Sequence, residues 1–390
     1  MSMEPTESEI EEFRKTIPLA QIEVKELKSG KNKKSYYYTW RVAESLNVVI
    51  NGHEYVFGVG GIHSSVPAQI IESTEHVTIV DWDVASFYPN LAIKNNVHPA
   101  HLGLQFCETY NDLYEKRKTY PKSSPWNAAL KLALNGTYGK SNDKFSPFYD
   151  PQYTMTITIN GQLSLCMLIE RLLELEGTSS VQSNTDGITM IIPSVSDELA
   201  NNIIKQWEFE TKLEMERNDY SKMFIRDVNN YIAVYKKDNK AKLKGAYEYK
   251  LEHHKDNSSP VVQKAVEAHL ITGVSIDNFI KNHKDKYDFM LRTKVPRSSK
   301  LITVDDLGNE YEEQNVTRFY VSLSNKAKSL IKIMPALEGK EDDRRIGICV
   351  DRKVVVCNNI LDFNWDIDYS YYIEEAHKLI ECFNSKEVSR

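Results

Sequence analysis

Long apolar runs are missing from this 390-residue chain. None reaches the roughly 18 to 20 residues that cross a bilayer, so no membrane partner is expected. Cysteine is scarce and unpatterned. The five, Cys107, Cys166, Cys349, Cys357 and Cys382, are odd in number and include no CxxC pair, which argues against a disulfide framework or a thiolate zinc site and points to reduced thiols. The N-terminal MSMEPTESEIEEF has neither an apolar signal core nor a basic flank, and a cytoplasmic location is the expectation. Internal repeats and low-complexity tracts are also lacking. So is an excess of positive charge. The formal net charge of −6 counts mildly against a nucleic-acid partner, but phosphate binding depends on where the cations gather. They gather at Lys31-Asn32-Lys33-Lys34, Lys116-Arg117-Lys118, Lys236-Lys237 and from Lys240 to Lys250; each run alone reads as a solvated face.

What is present fits a globular protein of two or three lobes, because 390 residues exceed what one core usually spans. Residues 36 to 62 read as two strands joined near Asn51-Gly52 and followed by a glycine-rich loop. Strand pattern returns at 77 to 83. Residues 104 to 118 and a segment from Trp126 to about Gly136 read as a helical hairpin broken by proline and serine at 120 to 125. A helix is expected at 160 to 177, two short strands at 179 to 193, a long helix at about 195 to 216, a strand pair at 230 to 249, and a C-terminal helix at 371 to 383 after a region that opens with helical pattern.

Three segments carry chemistry. Asp83-Val84-Ala85-Ser86-Phe87-Tyr88-Pro89 places a carboxylate where a strand gives way to a turn, a rigid edge suited to magnesium, which takes one or two carboxylates plus substrate phosphates. In Lys131-Leu132-Ala133-Leu134-Asn135-Gly136-Thr137-Tyr138-Gly139, Lys131, Asn135 and Tyr138 fall at i, i+4 and i+7, on one helical face. A lysine there suits a triphosphate and an aromatic suits a base pair or sugar, although a plain amphipathic helix explains the spacing equally well. The third segment, Val181 to Ile192, puts Asp186 at the tip of a strand pair, where the plainer reading is a turn.

In order these segments read DxxSFYP, KxxxNGxYG and NTDG, and they resemble motifs A, B and C of family B DNA polymerases, of bacteriophage type. Phe57 to His63, with Gly60 and Gly61, is similar to the family's glycine-rich linker that touches template. Arg117 in LYEKRK matches the arginine of the outer fingers helix, and Tyr231 with Lys242, Lys244 and Gly245 resembles the KxY region and the strand after it, which contact primer. The similarity runs from about residue 55 to 250, and more loosely through the segment around Arg318 to Ser322 to the end of the chain.

The resemblance implies an α+β right hand: N-terminal strands and a template-side linker at 1–75, palm at 76–100 and 145–255 with an antiparallel sheet, short helical fingers at 101–144, and thumb and C-terminal region at 256–390. It implies a DNA polymerase adding dNTPs to a primer on template DNA by two-metal phosphoryl transfer. Asp83 and Asp186, with the carbonyl of Val84, would hold two Mg2+ ions, with Mn2+ as a substitute. Lys131 and Arg117 would bind the triphosphate, Ser86, Phe87, Asn135 and Tyr138 would line the nucleotide, and Tyr88 would exclude a ribose 2′-hydroxyl. Two departures stand out: Asn184 replaces the first acid of motif C, and Asn229-Asn230 precede Tyr231 where a lysine is usual. About 75 residues before the first motif are too short for a proofreading domain, so either a separate exonuclease or processivity factor is a partner or the chain is a module trimmed from a longer protein. A catalytically weakened subunit that binds primer-template and scaffolds replication proteins is the alternative.

Overall fold

The computed structural model describes residues 6–16, 20–29, 33–42, 46–250, 258–336 and 342–384; Lys31 and Asn32 of the first lysine run lie outside them. The fold is mixed α/β with antiparallel sheets, in two compact units, residues 1–229 with 233–241 and residues 230–232 with 242–390. Among the described residues no helix is long and apolar enough to cross a membrane.

The first unit begins with helix α1 (Glu7–Thr16) and an antiparallel hairpin, β1 (Ala20–Ser29) with β2 (Lys33–Val42). Strands β3 (Leu46–Ile50), β4 (His53–Gly58), β5 (Gly61–Ser65), β6 (Gln69–Glu72) and β7 (Val77–Val84) follow. Then come helices α2 (Phe87–Asn95), α3 (Gln105–Lys118), α4 (Pro125–Gly139) and α5 (Pro151–Leu173). Strands β8 (Ser179–Asn184) and β9 (Gly187–Pro193), helix α6 (Asp197–Thr211), and strands β10 (Met215–Asp227) and β11 (Asn230–Tyr235) complete the sheet.

Its strand order is β11-β10-β7-β9-β8-β5-β4-β3. Strand β10 is shared: residues 215–220 pair with β7, and 222–225 pair with β6. The pleat divides β7 into two faces. Val80, Trp82 and Val84 join a core with Ile188, Met190 and Ile192 of β9, Leu165, Leu168 and Ile169 of α5, and Trp207 of α6. Asp81 and Asp83 stand on the other face.

Several elements differ from the sequence expectation, and residues 36–62, read as two strands, carry the end of β2, all of β3 and β4 and the start of β5. Helix α5 starts at Pro151 and not near 160, because Asp150 caps it, accepting from the Tyr153 N–H at 3.0 Å, with proline at the first helical position. Helix α6 stops at Thr211, where Lys212 turns left-handed with φ 58°. The residues beyond it form β10, so the strand pairing expected from 230 begins at 215. The α3 and α4 hairpin is tied across by Tyr110, whose hydroxyl donates to the Leu134 carbonyl at 2.5 Å, and by Asn127, whose amide donates to the carbonyls of Arg117 and Tyr120.

The second unit takes in β12 (Ala241–Lys244) from Lys242 onward, α7 (Pro260–Thr272), α8 (Ile276–Asn282) and α9 (Tyr369–Asn384). Between α8 and α9 lie β13 (Leu291–Lys294), β14 (Lys300–Val304), β15 (Glu310–Glu313), β16 (Val316–Val321), β17 (Ser329–Met334), β18 (Arg344–Ile348) and β19 (Val354–Val356). They form sheets β13-β16-β19 and β15-β14-β17-β18. Phe289 is fully buried with the rings of Trp365, Tyr369 and Tyr372 edge-on to it, giving this unit an aromatic core of its own.

Candidate active site

Antiparallel register sets the backbones of the two acids side by side, on β7 and immediately before β9. Asp83 lies opposite Gly187 of β9, the residue after Asp186, and the Val84 N–H donates to the Asp186 carbonyl at 2.8 Å. A Cβ at Gly187 would overlap the Asp83 carboxylate. Only glycine lets that carboxylate lean across β9 toward the turn. Asp83 is half-buried and Asp186 exposed. On the other side of β7, Glu216 of β10 faces Asp83 and is held by Lys122, whose ammonium donates to both carboxylate oxygens at 2.7 and 2.8 Å.

The turn that carries Asp186 is strained. Thr185 has φ 57°, a left-handed conformation unfavourable for a β-branched residue. It persists because its N–H donates to the Ile62 carbonyl at 3.0 Å and its hydroxyl lies 3.2 Å from His63 Nε2. Burial holds the His63 pKa below the ordinary histidine value. Asn184 adds a third tie, its amide donating to the Val228 carbonyl at 3.1 Å.

The glycine-rich segment packs on the same turn. Gly61 has φ 143°, and a Cβ there would stand 3.1 Å from the Tyr88 hydroxyl and 3.2 Å from Thr185 Cα. The Tyr88 hydroxyl donates to the Gly60 carbonyl at 2.7 Å, and its ring lies 4.2 Å from that of Tyr138 on α4. Tyr138 in turn shares a 2.6 Å hydrogen bond with Thr158 of α5. Burial raises the pKa of both phenols, and for Tyr88 the neighbouring Tyr138 and Asp186 add to it. Both stay protonated at neutral pH.

Ser86, left-handed with φ 50°, starts α2, and its hydroxyl accepts from Arg117 Nη1 at 2.7 Å; Arg117 Nε donates to Asn127 at 3.2 Å. The guanidinium of α3 therefore already reaches the turn that follows Asp83. Lys131 and Asn135 are exposed on α4. Phe87 is different: its ring is buried in the core against Gly161, so only its backbone is available to a ligand. Val84 is buried too. Tyr231, Lys242, Lys244 and Gly245 belong to the second unit. There the Tyr231 ring is buried with the Lys242 ammonium 6.0 Å from its centroid, Lys244 is exposed, and Gly245, with φ 59°, begins a short 3-10 turn.

Sequence reasoning missed Asp81, Glu216, Lys122, Thr185 and His63. Asp81 is 3% exposed, and its carboxylate accepts from Thr189 of β9 at 2.7 Å and from Tyr220 of β10 at 2.6 Å, linking the three strands behind the acids. Period-2 alternation from Asp83 was the available signal for it.

Among the described residues no group of three or more His, Cys, Asp or Glu side chains could hold a metal by itself. Two carboxylates beside one glycine are a sparser set of hard oxygen donors. Magnesium keeps waters and takes substrate phosphates as ligands, and so needs fewer protein donors than calcium or zinc.

No family model matches the chain, and no curated protein matches it. Among solved structures it is similar to the family B DNA polymerase from the hyperthermophilic archaeon Pyrobaculum calidifontis, at 15% identity and a TM-score of 0.44 over 83% of this chain. The match spans 48% of that polymerase chain.

Proposed function

We propose that the chain is a template-directed DNA polymerase that adds dNTPs to a primer 3′-hydroxyl. The observation that carries this reading is the register that sets Asp83 opposite Gly187, the residue after Asp186, beside a turn that Arg117 reaches from a helical hairpin. Phosphoryl transfer asks a protein for positioning and charge neutralisation more than for covalent participation, and this site offers both.

In this reading Asp83, Asp186 and the carbonyl of Val84 hold the metals. The chemistry supplied there by a bound pair of Mg2+ ions, or Mn2+ in their place, is activation of the 3′-hydroxyl and neutralisation of the triphosphate. Arg117 exchanges the Ser86 hydroxyl for the triphosphate, and Lys131 meets the same group from α4. Together they stabilise charge that develops on the leaving pyrophosphate. Tyr88, held by Gly60 and packed at a tilt against Tyr138, forms a rigid floor under the sugar and leaves no room for a 2′-hydroxyl. Asn135 and Tyr138 line the nascent base pair, and Gly60 and Gly61 face the template strand.

The sheet with β7, β9 and β10 is the palm, the α3 and α4 hairpin the fingers, and the residues from about 256 the thumb. Tyr231, Lys242, Lys244 and Gly245 serve the primer strand by contacts that carry no sequence information. A separate exonuclease or clamp supplies proofreading or processivity.

Primer extension in Mg2+ tests the reading. The parent extends with dNTPs and poorly with NTPs. Asp186→Ala abolishes extension, and Tyr88→Ala raises ribonucleotide incorporation about tenfold or more. A parent that binds primer-template yet never extends it would establish the alternative, a weakened scaffold subunit, which the neutral side chain of Asn184 favours.

A further inference from the structure

Asn184 stands where motif C of the resembling family carries an acid. A lost ligand is one explanation for it. The geometry points to another: we infer that Asn184 is a positioning residue whose amide fastens the Asp186 turn to the end of β10, a role that an aspartate cannot fill. The inference rests on the polymerase reading for its effect on catalysis, and on the hydrogen bonds alone for its structural part.

The Asn184 side chain meets two groups of opposite character. Its Nδ2 donates to the Val228 carbonyl at 3.1 Å, and its Oδ1 is the acceptor facing the Thr185 hydroxyl at 3.4 Å. An amide satisfies a carbonyl acceptor and a hydroxyl donor at once. A carboxylate accepts only, so aspartate would set two oxygens against the Val228 carbonyl and break the tie.

The tie matters because of what it restrains. Thr185, the next residue, is left-handed, and such a conformation lasts only where the surroundings over-determine it. Asp186 follows directly, its N–H donating to the Asn184 carbonyl at 2.5 Å and its own carbonyl accepting from Val84. Asn184 is paired with Gly187 on β9 and with His63 on β5, so it sits in the same row across the sheet as Asp83. Releasing it loosens the acid that must meet Asp83.

Two substitutions separate a tether from a lost ligand. Asn184→Asp adds charge and removes the donor; Asn184→Ala only removes the donor. The tether predicts that both lower kcat about tenfold, the lower end of what outer partners of metal ligands contribute, with the KM for dNTP within about twofold. It also predicts faster amide hydrogen exchange at 184–187 and 226–230 in both variants. A lost ligand predicts that Asn184→Asp gains activity or Mn2+ affinity while Asn184→Ala is neutral, and that result overturns the inference. Unchanged exchange in both segments overturns it as well. Should the parent not extend primers at all, the exchange measurement still decides the tether, and the polymerase reading alone fails.

Discussion

The two faces of β7 do opposite work within eight residues. Toward the helices, Val80, Trp82 and Val84 are almost fully buried among aliphatic side chains, and Arg217 lies 5.7 Å over the Trp82 ring while it pairs with Asp197 and Asp219 at the margin. On the other face Asp81 is buried in hydrogen bonds and Asp83 leans over Gly187. Apolar burial on one side therefore bears the strain and charge of the other. Stability and chemistry should be separable by mutation.

The largest expected effect breaks the apolar face. Trp82→Ala leaves a cavity in the core and costs about 3 to 5 kcal/mol of stability, read as a lowered denaturation midpoint. The molecules that remain folded keep metal affinity close to that of the parent. A Trp82→Ala protein of unchanged stability but lost activity would erase the distinction between the faces.

Gly187→Ala sharpens the comparison from the other side. The new methyl group collides with the Asp83 carboxylate, and a displacement of about 1 Å at reacting groups costs about a hundredfold in rate. Single-turnover extension should fall by that factor, while the overpacking costs about 1 to 3 kcal/mol, less than Trp82→Ala. Rates equal to the parent would mean that the carboxylate does not act from that position.

The smallest effect belongs to the Lys122 and Glu216 pair. Both side chains are more than half exposed, at 78% and 53%, and such pairs contribute about 0 to 1 kcal/mol. Lys122→Ala and Glu216→Gln should each change extension rates by less than about fivefold, with the effect fading at high salt. A loss comparable to that of Gly187→Ala would promote Glu216 from support to ligand.

Much of this arrangement was legible in the sequence, and the part that was not has identifiable causes. Strand β7, the turn at Asn184 to Gly187 and the α3 and α4 hairpin follow from alternation, turn residues and a proline-serine break, and spacing and motif order made Asp83, Asp186, Tyr88 and Tyr138 the candidates for the site. Helix α5 was clipped because its first turns, YTMTITIN, are rich in β-branched residues, whose strand preference tertiary burial of Tyr153 and Ile157 overrides. Strand β10 was hidden by its charges: MERND reads as surface helix until Arg217 finds Asp197 and Glu216 finds Lys122. Lys122 and Glu216 are 94 residues apart, so no local pattern announces their pairing. Phe87 was placed at the nucleotide by its motif, yet its ring packs inward, because Gly161 opens a space for it under α2. In the second unit the strands between Leu291 and Val356 are three to six residues long, and periodicity over so few positions is too weak to separate strand from loop.

The most direct measurement is the number of Mn2+ ions bound per chain in the presence of primer-template and a non-hydrolysable dNTP, counted by electron paramagnetic resonance. Two carboxylates that share a pair of cations predict two bound ions in the parent and loss of at least one in both Asp83→Ala and Asp186→Ala. Equal occupancy in the parent and in either variant would contradict it.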